Sequence, residues 1–256
     1  GSEMCIRDRL TGVSASQVEL KSQISFQNNI TSEEIQETMI KSAADLISEE
    51  TPNYQLVAGR LITYHLRKQV YGQFEPPKLI DIVKKNIQLK MYDPLLLKWY
   101  KNGEWKQMER WIDHKRDEQY TYAAMEQFRG KYLVQDRYSE KVFETPQVAL
   151  MLIAATLFHR YPKETRMKWV KDFYDSVSKF EISLPTPVMA GVRTSIRQFS
   201  SCVLIESGDS LDSINATAAS IVKYVSKRAG IGIGGGAIRA ICLLYTSDAA
   251  DDFTSV

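Results

Sequence analysis

Residues Leu184–Ala240, LPTPVMAGVRTSIRQFSSCVLIESGDSLDSINATAASIVKYVSKRAGIGIGGGAIRA, decide how this chain is read. Pro185 and Pro187 fix an extended turn. Gln198 to Ile205 then predicts a strand in which Val203, Leu204 and Ile205 form a continuous apolar end. Such a run belongs to a strand covered on both faces, as in a parallel sheet or barrel. Gly208-Asp209-Ser210 turns into a predicted helix over Leu211 to Arg228, with Leu211, Ile214, Ala218, Ile221, Val222 and Val225 on one face. Lys223, Lys227 and Arg228 suit its C-terminal dipole, and Gly230 is its expected stop. Ile231 and Ile233 begin another strand, completing one βαβ unit.

Upstream the patterns are helical. Ser16 to Tyr71 reads as helix throughout: Thr31-Ser32-Glu33-Glu34 is a cap with acids in the first turn, followed by Ile35, Met39, Ala43 and Leu46 at helical spacing. Ala58, Leu61, Ile62, Leu66 and Val70 make a second apolar stripe. Pro76 and Pro77 cannot continue a helix, so Phe74-Glu75-Pro76-Pro77 is a boundary. A second helical block, rich in aromatic residues, runs from Lys78 to Phe180 and ends in an apolar helix, Gln147 to Phe158, and an amphipathic one, Lys163 to Ser178. Gly1 to Thr11 and Cys242 to Val256 carry no hydrophobic period and are expected to be non-native tails. The expected division is tails at 1–12 and 241–256, a helical regulatory domain at 13–75, a helical domain at 76–197 and the start of a barrel at 198–240.

Bulk properties exclude several classes. The 256 residues, 44% hydrophobic and 25% charged, are globular in composition and contain no stretch suited to a membrane span. A formal charge of +2, from 33 basic and 31 acidic residues, gives no broad field for a polyanion, so no nucleic-acid partner is expected and any phosphate site is local. Cys5, Cys202 and Cys242 form no CxxC pair, which suggests neither zinc nor a secreted disulfide framework and points to a reducing, cytoplasmic setting. His65, His114 and His159 lack ligand spacing and read as ordinary core or surface residues, so no metal site is expected.

Three positions carry chemistry. Cys202 follows Ser200 and Ser201; a lone strand cysteine is more often a small buried hydrophobe, but two adjacent hydroxyls suit a strand that reaches a cavity. Asp209 and Ser210 open a helix, where capping and ligand binding can coexist. Arg239 follows the flexible turn GIGIGGGAI, and its planar fork could reach a triphosphate. A dinucleotide fingerprint is rejected, because here a helix precedes the glycines rather than following them.

The blocks SLPTPVMAGVRT, RQFSSCVLIESGDSLDSINAT and IVKYVSKRAGIGI, with QVEL, AADLIS, HLRK, YGQFEPP, GKYLVQ, YPKETR and FYDSVS upstream, resemble the large, catalytic chain of aerobic class I ribonucleotide reductase from about Val13 to Ala240. One departure is Gly234, Gly235 and Gly236, where an Asn-Ala-Gly type sequence is expected. The resemblance implies a fold that is mainly α in its N-terminal three quarters, followed by the first βα unit of a truncated ten-stranded α/β barrel. It implies radical-based reduction of ribonucleoside diphosphates to deoxyribonucleotides, with Cys202 as one of two thiols that become a disulfide. Thr186, Ser201, Cys202 and Gly230 fall at substrate positions, Asp209, Ser210, Leu211 and Arg239 at a deoxynucleotide effector site, and Lys68 and Ser32 at an ATP activity site. Implied partners are dNTP and ATP effectors, thioredoxin or glutaredoxin, a second copy of the full-length chain and a small subunit holding a metal-radical cofactor. The radical cysteine, the second reducing cysteine and the acid/base carboxylate belong to later segments of the family's chains, so this segment is expected to be inactive alone. The alternative is a non-enzymatic nucleotide sensor in which Cys202 is merely core.

Overall fold

The computed structural model describes residues 10–23, 29–136, 138–227 and 229–239. The expectations for Cys5, Cys242 and most of both end segments lie outside the described residues. The chain divides into two compact units, residues 1–184 with 188–197, and residues 185–187 with 198–256.

In the first unit, the helical pattern predicted without interruption from Ser16 to Tyr71 resolves into α1 (Ala15–Gln23), α2 (Ser32–Ala44) and α3 (Tyr54–Tyr71). Thr31 caps α2 as its sequence predicts: its hydroxyl accepts from the Glu34 amide at 3.2 Å, and the Glu34 carboxylate accepts from the Thr31 amide at 2.8 Å. Between α2 and α3, hydroxyls take over the hydrogen bonding of the backbone. Thr51 donates to the Leu46 carbonyl at 2.8 Å, and Ser48 Oγ accepts from the Thr51 amide at 3.2 Å. Those local bonds compete with the helix and explain why it does not run through. Gly72, at φ +71°, closes α3 in the left-handed conformation that favours glycine, just before Pro76 and Pro77.

The block after the proline break comprises α4 (Leu79–Gln88), α5 (Leu95–Trp99), α6 (Asn102–Trp111), a 3₁₀ turn (His114–Gln119), α7 (Tyr122–Gln127) and a π turn (Phe128–Tyr132). It continues with α8 (Pro146–Phe158) and α9 (Lys163–Ser178). Helix α8 is the centre of this unit, since Val148 to Thr156 are buried on every side, as an all-round apolar helix requires. Helix α3 contributes Ala58, Leu61, Ile62, Leu66 and Val70 to the core, all buried as the stripe predicts.

The second unit is one βαβ element: β1 (Cys202–Glu206), α11 (Leu211–Val225) and β2 (Gly230–Gly234). The short helix α10 (Thr186–Gly191) precedes it in the chain. The strands are parallel, in a register that runs from Cys202 opposite Gly230 to Glu206 opposite Gly234. Three sequence expectations are corrected here. The strand starts at Cys202 rather than Gln198, because side chains bond the preceding backbone: Gln198 donates to the Ser200 carbonyl at 3.0 Å and Ser200 to the Cys202 carbonyl at 2.9 Å. Gly230 is not the helix stop; α11 ends at Val225 and Gly230 is the first residue of β2. The strand is not covered on both faces, since Leu204 is 86% exposed and a single crossover helix shields only the alternate residues Val203 and Ile205.

Most of the apolar stripe of α11 faces away from the sheet. Its buried residue is Thr217, flanked by the half-buried Ser213, Ser220, Ile221 and Tyr224, whereas Leu211, Ile214, Ala218, Val222 and Val225 are exposed. Gly230, Gly232 and Gly234 leave β2 little side-chain surface, so the small hydroxyl face of the helix approaches it best.

Candidate functional site

Cys202 opens β1 as an exposed, free thiol. Ser201 Oγ lies 3.9 Å from its sulfur, and the Gly230 amide donates to the Ser201 carbonyl at 2.7 Å, which ties the two strand starts together. A Cβ on Gly230 would stand 3.8 Å from Sγ, so the absent side chain keeps that flank of the thiol open. Ser201, Cys202 and Gly230 are therefore gathered at the amino ends of the two strands. Thr186 is the first residue of α10, half-buried, and no hydrogen bond joins it to those three among the described residues.

At the other end, the two opening residues of α11 divide their duties. Ser210 is the cap, its Oγ accepting from the Ser213 amide at 3.1 Å. That frees Asp209, whose carboxylate accepts from Arg239 Nε at 2.6 Å and from the Arg239 amide at 3.2 Å. These two bonds, the side-chain one first, hold the Asp209 carboxyl below the usual aspartate range. Leu211 beside them is 80% exposed. The Ser207 amide donates to the Gly234 carbonyl at 2.9 Å, so the acid and the arginine sit just beyond the carboxyl ends of β1 and β2. Parallel sheets bind ligands at such ends. At ~3.3 Å per residue, the four steps from Cys202 to Glu206 separate the thiol from this end by about 13 Å. The thiol and the ion pair are thus two sites on one βαβ unit.

Lys68 and Ser32 lie at one end of the α2–α3 pair. Gln69 donates to the Glu33 carboxylate at 2.6 Å, which brings the start of α2 to the end of α3. Ser32 is the exposed first residue of α2, and Lys68 Nζ rests 4.6 Å from the centroid of the Tyr64 ring.

Sequence reading missed the charged groups buried in the first unit. His65, read as ordinary, is buried with Nε2 3.4 Å from Glu37, which itself accepts from Arg129 at 2.5 Å; burial pulls the His65 pKa below 6.5. Glu144 and Arg193 form a fully buried pair. Tyr92 donates to Glu144 at 2.5 Å and the Val134 amide donates at 2.6 Å. The signal in the sequence is an acid just before the apolar run of α8 and an arginine just after α10, and pairing across 49 positions is invisible to periodicity. Among the described residues, no group of three or more His, Cys, Asp or Glu could hold a metal ion, and no helix is long and apolar enough to cross a membrane.

Residues 118–197 match the all-alpha domain of ribonucleotide reductase, and residues 200–247 match its barrel domain. The chain belongs to the ribonucleotide reductase large-chain family. It is 60% identical over 232 residues to the ribonucleoside-diphosphate reductase subunit alpha of Buchnera aphidicola subsp. Acyrthosiphon pisum, covering 91% of this chain and 30% of that protein. It is 59% identical over 232 residues to the ribonucleoside-diphosphate reductase 1 subunit alpha of Escherichia coli, with the same coverage of 91% and 30%. The subunit alpha of Enterobacteria phage T4 is 50% identical over 215 residues, which are 84% of this chain and 28% of that protein. The chain thus spans under a third of the length of these reductase relatives. Residues 118–197 and the βαβ unit correspond in order to the family's all-alpha domain and its barrel.

Proposed function

We propose that this chain forms part of a cytoplasmic ribonucleoside-diphosphate reductase, to which it contributes one reducing thiol, a deoxynucleotide effector site and a helical ATP-binding pair. The observation that carries the reading is the βαβ unit with Cys202 at one end and the Asp209–Arg239 pair at the other. Replacing a ribose 2'-hydroxyl by hydrogen takes two electrons. Cys202 and a second thiol lose them, their sulfurs join as a disulfide, and the hydroxyl departs as water. A metal-radical cofactor in a separate small subunit supplies the initiating radical when that subunit is bound. Ser201, Thr186 and the open flank at Gly230 receive the diphosphate and sugar, and the exposure of Cys202 suits later re-reduction by thioredoxin or glutaredoxin.

At the effector site, Asp209 is ionised and able to accept a sugar hydroxyl, while Arg239 offers its fork to phosphate. Ser210 holds the helix start, and Leu211 presents an apolar surface beside it. Lys68 and Ser32 serve ATP at the end of the α2–α3 pair, and the working protein is a homodimer of the full-length chain. The test uses the full-length reductase chain. Cys202→Ser is expected to abolish reduction with thioredoxin and to leave deoxynucleotide binding intact. Arg239→Ala is expected to weaken effector binding by about ten- to a hundredfold, the equivalent of about 1.5–3 kcal/mol for a charge-assisted contact. Near-normal turnover of the first variant, or unchanged effector affinity of the second by calorimetry, overturns the corresponding assignment.

A further inference from the structure

Asp117 lies in the 3₁₀ turn with its side chain wholly buried, and neither carboxylate oxygen has a hydrogen-bond partner among the described residues. The surrounding side chains come from every element packed against it. Arg67 and Tyr71 face it from α3, Gln147 from α8, Tyr174 from α9, and Asp113 and Tyr120 from either side of the turn. His114, also in the turn, lies beside Arg67. Arg116 reaches over the Tyr174 ring at 5.4 Å but is engaged with Asp175 at 2.8 Å.

Among the described residues, Arg67 is the cation paired with the carboxylate, but only loosely. Arg67 Nη2 donates to the His114 carbonyl at 2.8 Å, its guanidinium lies 4.8 Å from the centroid of the Phe74 ring, and the same Nη2 stands 3.7 Å from Asp117 Oδ2. Two further donors beside the acid, Arg67 Nε and Gln147 Nε2, are buried and also without partners. A buried ionised carboxylate with unused donors around it is costly unless it is paired, and a neutral acid costs far less. The cluster therefore has two arrangements separated by one proton and a short movement of Arg67.

We propose that Asp117 is a proton-controlled tie between α3 and the 3₁₀ turn, with Arg67 held on the His114 carbonyl while the acid is neutral and drawn onto the carboxylate when the proton leaves. Burial raises the Asp117 pKa to about 7, against the opposing pull of Arg67, which puts the exchange near neutrality. The proton is bound more tightly folded than unfolded, where a carboxyl near 3.8 is ordinary. Stability from this group is therefore full below about pH 4 and is lost as the pH rises through about 7, the folded-to-unfolded ratio falling by up to about tenfold per pH unit between them. His65 and His114, whose pKa values burial lowers, act with the opposite sign, so the difference from a variant isolates Asp117. Arg67 adjoins Lys68 on α3, so the exchange would also reach the ATP-binding end; that consequence alone rests on the proposed function.

The test follows the aspartate carboxyl carbons of the whole chain by NMR, using ¹³C-labelled protein. One carbon is expected to titrate near pH 7, to vanish in Asp117→Asn, and to share its midpoint with the Arg67 Nε–H resonance. Urea unfolding from pH 4 to 8 should show the steeper loss with rising pH in the unsubstituted chain and not in Asp117→Asn. If that variant does not fold, the titration of the unsubstituted chain still decides. Aspartate carbons that all titrate below pH 5 overturn the proposal. A carbon titrating near pH 7 with an indifferent Arg67 resonance overturns the tie to α3.

Discussion

The two buried acids of the first unit show how much the immediate neighbours decide. Glu144 receives Arg193 Nε at 2.8 Å, the Val134 amide at 2.6 Å and the Tyr92 hydroxyl at 2.5 Å, whereas Asp117 receives nothing within bonding distance. Arg193 is equally well served, donating to the Tyr132 carbonyl at 2.9 Å and the Met189 carbonyl at 2.5 Å. Burial, and after it the charge of the neighbouring Glu144, pushes the Tyr92 pKa well up. In such a pair, removing one member leaves an uncompensated buried charge. Glu144→Gln is expected to cost about 3–5 kcal/mol in urea unfolding, and Glu144→Leu with Arg193→Met to recover much of that loss. A single variant within about 1 kcal/mol of the parent would show that the pair is not a structural anchor.

At the level of elements, the legible parts of the sequence were those fixed by neighbours along the chain. The Thr31–Glu34 box and the Lys163–Ser178 helix needed only local spacing, and both form where the residues predict. The pairing register of β1 and the buried face of α11 depend on β2, beyond the reach of any window of the sequence. The same limit hides Gly59, a mid-helix glycine in α3 that costs stability by propensity alone. Its reason is steric: a Cβ there would stand 2.1 Å from the Tyr120 carbonyl oxygen, a backbone atom that cannot step aside. Gly59→Ala should therefore destabilise by about 1–3 kcal/mol despite alanine's better helix propensity. Gly103, in the first turn of α6, has no atom within 4 Å of its would-be Cβ. Gly103→Ala should stabilise by about 0.4–1 kcal/mol, and thermal unfolding of the two variants in opposite directions is the outcome that separates packing from propensity. The candidate sites divide in the same way. Cys202 and Ser210 could be picked out by residue type and position, but the direct contact between Asp209 and Arg239, 30 residues apart, needed the fold.

On the scale of the whole molecule, α11 is covered on one side only. Leu211 is 80% exposed and Val222 69% exposed, with Ile214 and Val225 also open, so among the described residues the helix carries an apolar stripe that its own unit largely leaves uncovered. Scattered apolar residues on a surface need no explanation, but a contiguous stripe along a helix marks a contact. The homodimer proposed above supplies the partner, stripe against stripe. Fifteen residues make a helix of about 22 Å, too short by itself to bury the roughly 1,200 Å² of a stable interface. Association of this chain should accordingly be weak, visible by sedimentation at tens of micromolar rather than nanomolar concentrations. Leu211→Asp with Val222→Asp should leave it monomeric at every concentration, with the helical circular dichroism unchanged, because both side chains point away from Thr217 and the sheet. A parent chain that stays monomeric at 100-fold higher concentration, or a substituted chain that still pairs, would remove α11 from the dimer contact and leave its apolar face to another part of the protein.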